Sequence, residues 1–299
     1  MNLVSLIYTT LVVLQTLLVL TGGAVRLTGS GLGCPTWPDC VGGSIAPVPH
    51  QAQGTLHSWI EFGNRLLTVL LIVAIFVAIV GAIRWGRSRA DWAMIRNLAI
   101  IQFLGIVAQI VLGGITVLTK LNPFAVSSHF LLSILLIGAS LSLRQRMVNS
   151  PRTNVLPTTL WLIRALLALS AIVIMLGTVV TGSGPHAGDI QAKRYHIDPR
   201  LISWMHADAV IALITLTIGL ILVARVSETV TNRALVGKQA VLFLAVCLGQ
   251  GLIGYIQYFT HLPEGLVALH LLGAGCIWLA MWNIAFTSHA LSSTTSSAH

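Results

Sequence analysis

The sequence predicts an all-α integral membrane protein whose eight transmembrane helices form two pseudo-symmetric four-helix bundles. Three observations lead there. Hydrophobic residues make up 56% of the chain and charged residues 8%, with a mean hydropathy of +0.88, whereas an ordinary soluble domain carries about 25% charged residues. The apolar positions gather into runs long enough to cross a hydrocarbon layer of about 30 Å. Features of the early runs then recur in the later ones in the same order, as they would in two halves related by an axis along the membrane normal.

The first run reaches from the N-terminus to Gly23. It lacks a basic leading region and an A-x-A cleavage site, so it reads as a span rather than a removable signal peptide. Further spans are expected at roughly 59–83, 98–119, 124–143, 160–181, 201–224, 239–260 and 265–287. Arg84, Arg87, Arg89, Arg96, Arg144, Arg146, Arg152, Arg164, Arg225, Arg233 and Lys238 fall on one side of these spans; Arg26, Lys120, Lys193, Arg194 and Arg200 fall on the other. Cytoplasmic loops carry the basic excess, so both termini are expected in the cytoplasm of a plasma-membrane protein, with the loop at 25–54 outside. The net charge of +9 then reports topology. Its cations are scattered in short clusters instead of covering one face, so no nucleic-acid partner is expected. The halves are expected at 1–148 and 160–287, joined by a polar linker at 149–159 that contains Pro151 and Pro157. A Ser/Thr-rich tail, 288–299, is expected to be disordered.

The repeat is legible in detail. LTGGAVRLTGSG at 20–31 is echoed by LGTVVTGSG at 176–184, and Ser58–Trp59 by Ser203–Trp204. Gln109 precedes His129 by 20 residues, and Gln250 precedes His270 by 20, with Gly113 and Gly254 each four residues after their glutamine. Gly105, Ala108, Gly113 and Gly114 in the third span, and Gly249, Gly251 and Gly254 in the seventh, suit close helix packing in lipid.

The residues that bear chemistry follow from this frame. GTLHSWIEFGNRLLT at 54–68 enters an apolar span yet places His57, Glu61, Asn64, Arg65 and Thr68 at helical spacing, on one face. Ionisable groups in a membrane helix usually face a bundle interior and mark function; the competing reading is a self-contained Glu61–Arg65 pair. In the second half His206 and His270 lie at matching depth near the outer face, where two imidazoles from a four-helix bundle can clamp one haem iron. Zinc would need further ligands, and neither HxxxH nor CxxC lies nearby. Counting back from His129 by the His206–His270 separation reaches position 65, where Asn64 and Arg65 stand, whereas pairing the two Ser–Trp dipeptides sets Glu61 opposite His206. The first half should therefore hold its ligand differently, by His129 alone or with His57. Cys34 and Cys40 flank PTWPD in the outer loop and are expected to bridge, as a staple or a redox pair. Cys247 and Cys276 read as packing residues within spans.

Together TGSGLGCPTWPDC after the first span, IEFGNR in the second and single histidines opening the fourth, sixth and eighth resemble the haem A synthase family. The resemblance covers about 5–287. It implies an enzyme that oxidises the C8 methyl of haem O to a formyl group by successive hydroxylations. It also implies haem b as cofactor between His206 and His270, and a substrate half with Glu61 as the catalytic carboxylate and His57, Asn64, Arg65 and His129 around haem O. The family usually has a histidine three residues after that glutamate; here Asn64 occupies the position, as in actinobacterial members that carry a histidine at the position of His57. Implied partners are haem O, haem O synthase (protohaem farnesyltransferase), an unidentified electron donor or acceptor, membrane lipid, and further copies of the chain. The alternative from another class is a di-haem b electron carrier linked to quinol, which symmetric histidine pairs in both halves would favour.

Overall fold

The computed structural model describes residues 2–189 and 192–290. Among the described residues eight helices are present: α1 (Leu3–Leu27), α2 (Thr55–Gly86), α3 (Trp92–Leu118), α4 (Pro123–Met147), α5 (Pro157–Ser183), α6 (Pro199–Ser227), α7 (Val230–Phe259) and α8 (Glu264–Thr287). All eight are long and apolar enough to span a membrane. Every helix outruns its apolar segment, because an apolar run marks only the part in hydrocarbon, while the hydrogen-bonded ladder continues to the nearest stop signal. Asn2 caps α1 by accepting from the Ser5 N–H. Asn122 and Asp198 cap α4 and α6, each followed by proline at the first helical position. The largest difference is at α7, which starts at Val230 instead of near 239, because the Thr229 side chain accepts from the Asn232 N–H and adds two polar turns.

Helices α1 to α4 pack around one another, as do α5 to α8, and the two groups meet through α1, α4, α5 and α8. Each group has its own core. Tyr8, Leu11, Ile75, Ile95 and Leu143 centre the first, and Ile163, Leu166, Leu213, Phe243 and Met281 the second. A third cluster of Ile134, Ile137, Ile174 and Trp278 fills the seam. Gly138 of α4 lies against Trp278 and Trp282 of α8, and the Trp282 indole N–H donates to Ser142 Oγ at 2.6 Å.

Two expectations change at the end of the bundle where α4 meets α5. The linker at 149–159 contains a short strand, β1 (Thr153–Val155), and its last residues already belong to α5. Strand β2 (Ser288–Ala290) pairs with β1 in parallel, so these tail residues are ordered; the rest of the tail, 291–299, lies outside the described residues. The pairing is supported from the side. Asn232 Nδ2 donates to Asn154 O at 2.7 Å and to Glu228 Oε2 at 3.0 Å, and the Leu156 N–H donates to Glu228 Oε1 at 2.8 Å. Burial alone would raise the Glu228 carboxyl, but these donors outweigh it and hold the group below the ordinary carboxylate range. The small-residue reading is also corrected in part. Gly105 sits under Leu136 of α4, but a Cβ at Gly249 or Gly251 would meet nothing, and Ala108 is exposed.

Candidate functional site

In the second half, α6 and α8 each carry a histidine about 10 Å along the helix from its N-terminal end, at 1.5 Å per residue. The His206 and His270 ring centroids are 6.4 Å apart. An iron held between two imidazoles, with bonds of about 2 Å and about 1 Å more from each nitrogen to its ring centre, needs about 6 Å. Each ring has a backbone hydrogen bond to a neighbouring helix, His206 to Val173 of α5 and His270 to Gln250 of α7, yet the Nδ1 atom of each is buried without a hydrogen-bond partner. Both line one cavity, with about 1420 Å³ of empty space including the solvent at its mouth. These residues fit a bis-histidine haem.

The spacing of glutamine, glycine and histidine now has a physical reason. Gln250 donates its amide to His270 O, and a Cβ at Gly254 would stand 3.1 Å from His270 Cε1. In α3 and α4, Gln109 donates to His129 O at 3.2 Å, and a Cβ at Gly113 would stand 3.4 Å from His129 Cε1. The glutamine fixes the histidine backbone, and the missing Cβ lets the imidazole lie against the neighbouring helix. Gly177 of α5 does the same for His206, at 3.3 Å.

The first half is built differently. Glu61 is buried, and its Oε1 accepts from Arg65 Nη2 at 2.7 Å and Nε at 3.2 Å. Its Oε2 accepts from the Cys34 N–H at 2.7 Å. Arg65 also donates to the carbonyls of Cys34, Thr36, Pro38 and Asp39 at 3.1 to 3.3 Å. The ion pair thus exists, but it is not self-contained: it grips the backbone of the loop that the Cys34–Cys40 disulfide closes. Trp37 at the tip of that loop packs on Gly114, next to the glycine that faces His129. The loop accordingly ties the start of α2 to the end of α3.

The other members of the α2 stripe go elsewhere. Asn64 Oδ1 accepts from Thr21 Oγ1 of α1 at 2.8 Å, and the Thr68 hydroxyl donates back to Asn64 O. His57 is exposed, and its Nδ1 pairs with Ser30 Oγ at 2.9 Å. His129 Nδ1 is buried and unpartnered, like its second-half counterparts. The local register follows from these contacts. Pairing Thr28 with Thr181 sets Ala24 against Gly177 and Thr21 against Ile174. Asn64 touches α1 about one turn inside Ala24, so the level of His206 corresponds to Glu61, in agreement with the Ser–Trp pairing. One half therefore offers two imidazoles and the other an imidazole and a carboxylate.

The chain matches the COX15-CtaA family, described as cytochrome oxidase assembly protein, over residues 5–282. It belongs to that family. Similar proteins of the family include a haem A synthase of Geobacillus thermodenitrificans, 34% identical over 40% of this chain and 35% of that protein. One of Lysinibacillus sphaericus is 34% identical over 41% of this chain and 38% of its own length. These alignments span little more than a third of either relative. A haem A synthase of Shewanella oneidensis aligns over 98% of this chain and 97% of its own length, at 26% identity.

Sequence reasoning missed several residues here. Ser58 is fully buried and pairs with Gln51, whose amide also donates to Gly33 O at 2.8 Å; the Ser–Trp echo was the available signal. Arg26 and Lys193 line the cavity of His206 and His270. Cys247 is buried beside it, while Cys276, expected to pack inside a span, is exposed on the helix surface.

Proposed function

We propose that this chain is a haem A synthase. It converts one ring methyl of haem O to a formyl group through two hydroxylations, the resulting gem-diol losing water. The observation that supports this best is the asymmetry between the halves. A pure electron carrier would use two like sites, whereas here imidazoles at an iron-spanning distance stand in one half and His129 with Glu61 in the other. His206 and His270 would hold haem b, which would supply one-electron transfer there. His129 provides the strong imidazole of the substrate half, with Asn64 and His57 at its margin. Glu61, held in a fixed orientation by Arg65 and the Cys34 N–H, keeps a free lone pair on its oxygens and accepts a proton from the group being oxidised. In this reading the termini are cytoplasmic, the disulfide loop faces outward, and haem O arrives within the plasma membrane from haem O synthase.

The test is direct. The chain is co-expressed with a haem O source, the haems are extracted from purified protein, and they are separated by mass. Haem A, together with haem b lost on His206→Ala or His270→Ala, is the expected result. Haem b at full occupancy with no haem A or hydroxymethyl product would overturn it in favour of an electron carrier.

A further inference from the structure

The cavity that holds His206 and His270 is lined at its outer end by two cations, Arg26 and Lys193. Among the described residues no carboxylate lines it. Arg26 comes from α1, in the opposite half. One of its terminal nitrogens, Nη2, donates to His186 O at 3.0 Å, while its Nε is buried without a partner. No hydrogen bond or ion pair engages the Lys193 ammonium among the described residues. Arg194, the next residue, differs: it spends its donors on the carbonyls of Gly184, Pro185 and Ala192 at 2.8 to 3.2 Å. The repeat sharpens the contrast, since pairing Thr28 with Thr181 places Arg26 opposite Val179. Lys193 is exposed at the rim of the cavity, so the need for a counter-charge falls on the partly buried Arg26, whose partnerless guanidinium nitrogen is a strong donor for carboxylate.

We propose that Arg26 and Lys193 form a carboxylate-binding pole that takes the two acidic side groups of the tetrapyrrole held between His206 and His270. The inference rests on the haem reading above. Its geometry is consistent: Arg26 lies in the last turn of α1, and the histidines lie about 10 Å inward of their helix starts. The acidic edge of the macrocycle then faces outward and its apolar edge inward. Because Arg26 belongs to the first half, the two halves share this ligand.

The test uses the full chain in detergent, prepared free of haem and titrated with ferric haem b or with its dimethyl ester, which lacks both negative charges. Wild type should bind the free acid at least about tenfold more tightly, the scale of one charge-assisted hydrogen bond. Arg26→Gln combined with Lys193→Gln should abolish that preference while keeping a six-coordinate spectrum, and should lower the haem midpoint potential. Arg26→Lys should retain most of the preference, and Arg200→Gln all of it. Equal binding of acid and ester by wild type overturns the proposal. So does an undiminished preference in the double variant, or an equal loss for both ligands in Arg26→Gln, which would mean that Arg26 only braces the His186 carbonyl. If neither ligand gives a six-coordinate spectrum that His206→Ala abolishes, the haem reading itself fails, and the carboxylate pole with it.

Discussion

Replacing Glu61 with glutamine keeps the shape of the side chain and an acceptor for the Cys34 N–H, but removes the charge that Arg65 pairs with. Removing one partner of a fully buried pair costs about 3–5 kcal/mol. The Arg65 side chain is 23% exposed and keeps four carbonyl acceptors in the loop, so the cost here is nearer 1–3 kcal/mol. That cost falls on the loop at 34–40, whose backbone the pair holds. Reduction of Cys34–Cys40 by dithiothreitol proceeds through local opening, so Glu61→Gln should accelerate it about ten- to a hundredfold at 1.4 kcal/mol per decade. Arg65→Lys, which keeps the charge but loses the fork, should fall between. Thiol labelling against time gives the rates. Haem A yield, normalised to haem b content, gives the chemistry, and haem O or a hydroxymethyl product should accumulate. An unchanged reduction rate would refute the grip on the loop, and a normal yield would refute the proton-accepting role.

Gly254→Val should push the His270 imidazole off its helix, since a Cβ alone would already stand 3.1 Å from the ring; loss of the low-spin haem spectrum, with helicity retained, checks this. Changing Cys34 and Cys40 together to serine should lower the melting temperature or turnover yet leave haem b bound, as read from absorbance per protein. Glu228 has a lowered folded-state pKa, so its stabilising contribution is present at neutral pH and is lost as pH falls through that lowered value. The protection of the Leu156 amide, its exchange measured relative to the intrinsic rate at each pH, should therefore fall on acidification below the ordinary carboxylate range, and Glu228→Gln should flatten that dependence.

Spans were legible because hydrocarbon imposes a length and an apolar composition on each one. Helix ends were less so: the two turns that Thr229 adds to α7 mix Asn232, Arg233 and Lys238 with apolar residues such as Val236, and only cap chemistry marks their start. His270 stood out because the repeat placed a glutamine and a glycine at the same offsets as for His129, and His206 because it lies at a depth matching His270. Of the partners of Glu61, Arg65 was legible at helical spacing, but the Cys34 N–H was not, because it is a backbone group 27 residues away with no side-chain signature. Arg26 was read only as a topology marker, and its contact with the His186 carbonyl spans 160 residues. The β1–β2 pair involves three residues on each side, too few for a period to emerge, and the Ser/Thr-rich composition after Thr287 argued for disorder.

That small parallel pair has a consequence for the chain as a whole. It joins the point where the second half begins to the point where it ends, so α5 to α8 form a closed circuit with adjacent entry and exit. Chain closure over so long a path costs little more than over a short one, because the entropy grows only with the logarithm of length. A segment closed in this way resembles an inserted domain: it carries its own fastening, and the single covalent tether at Ser150–Arg152 is the only stretch of backbone by which the first half reaches it.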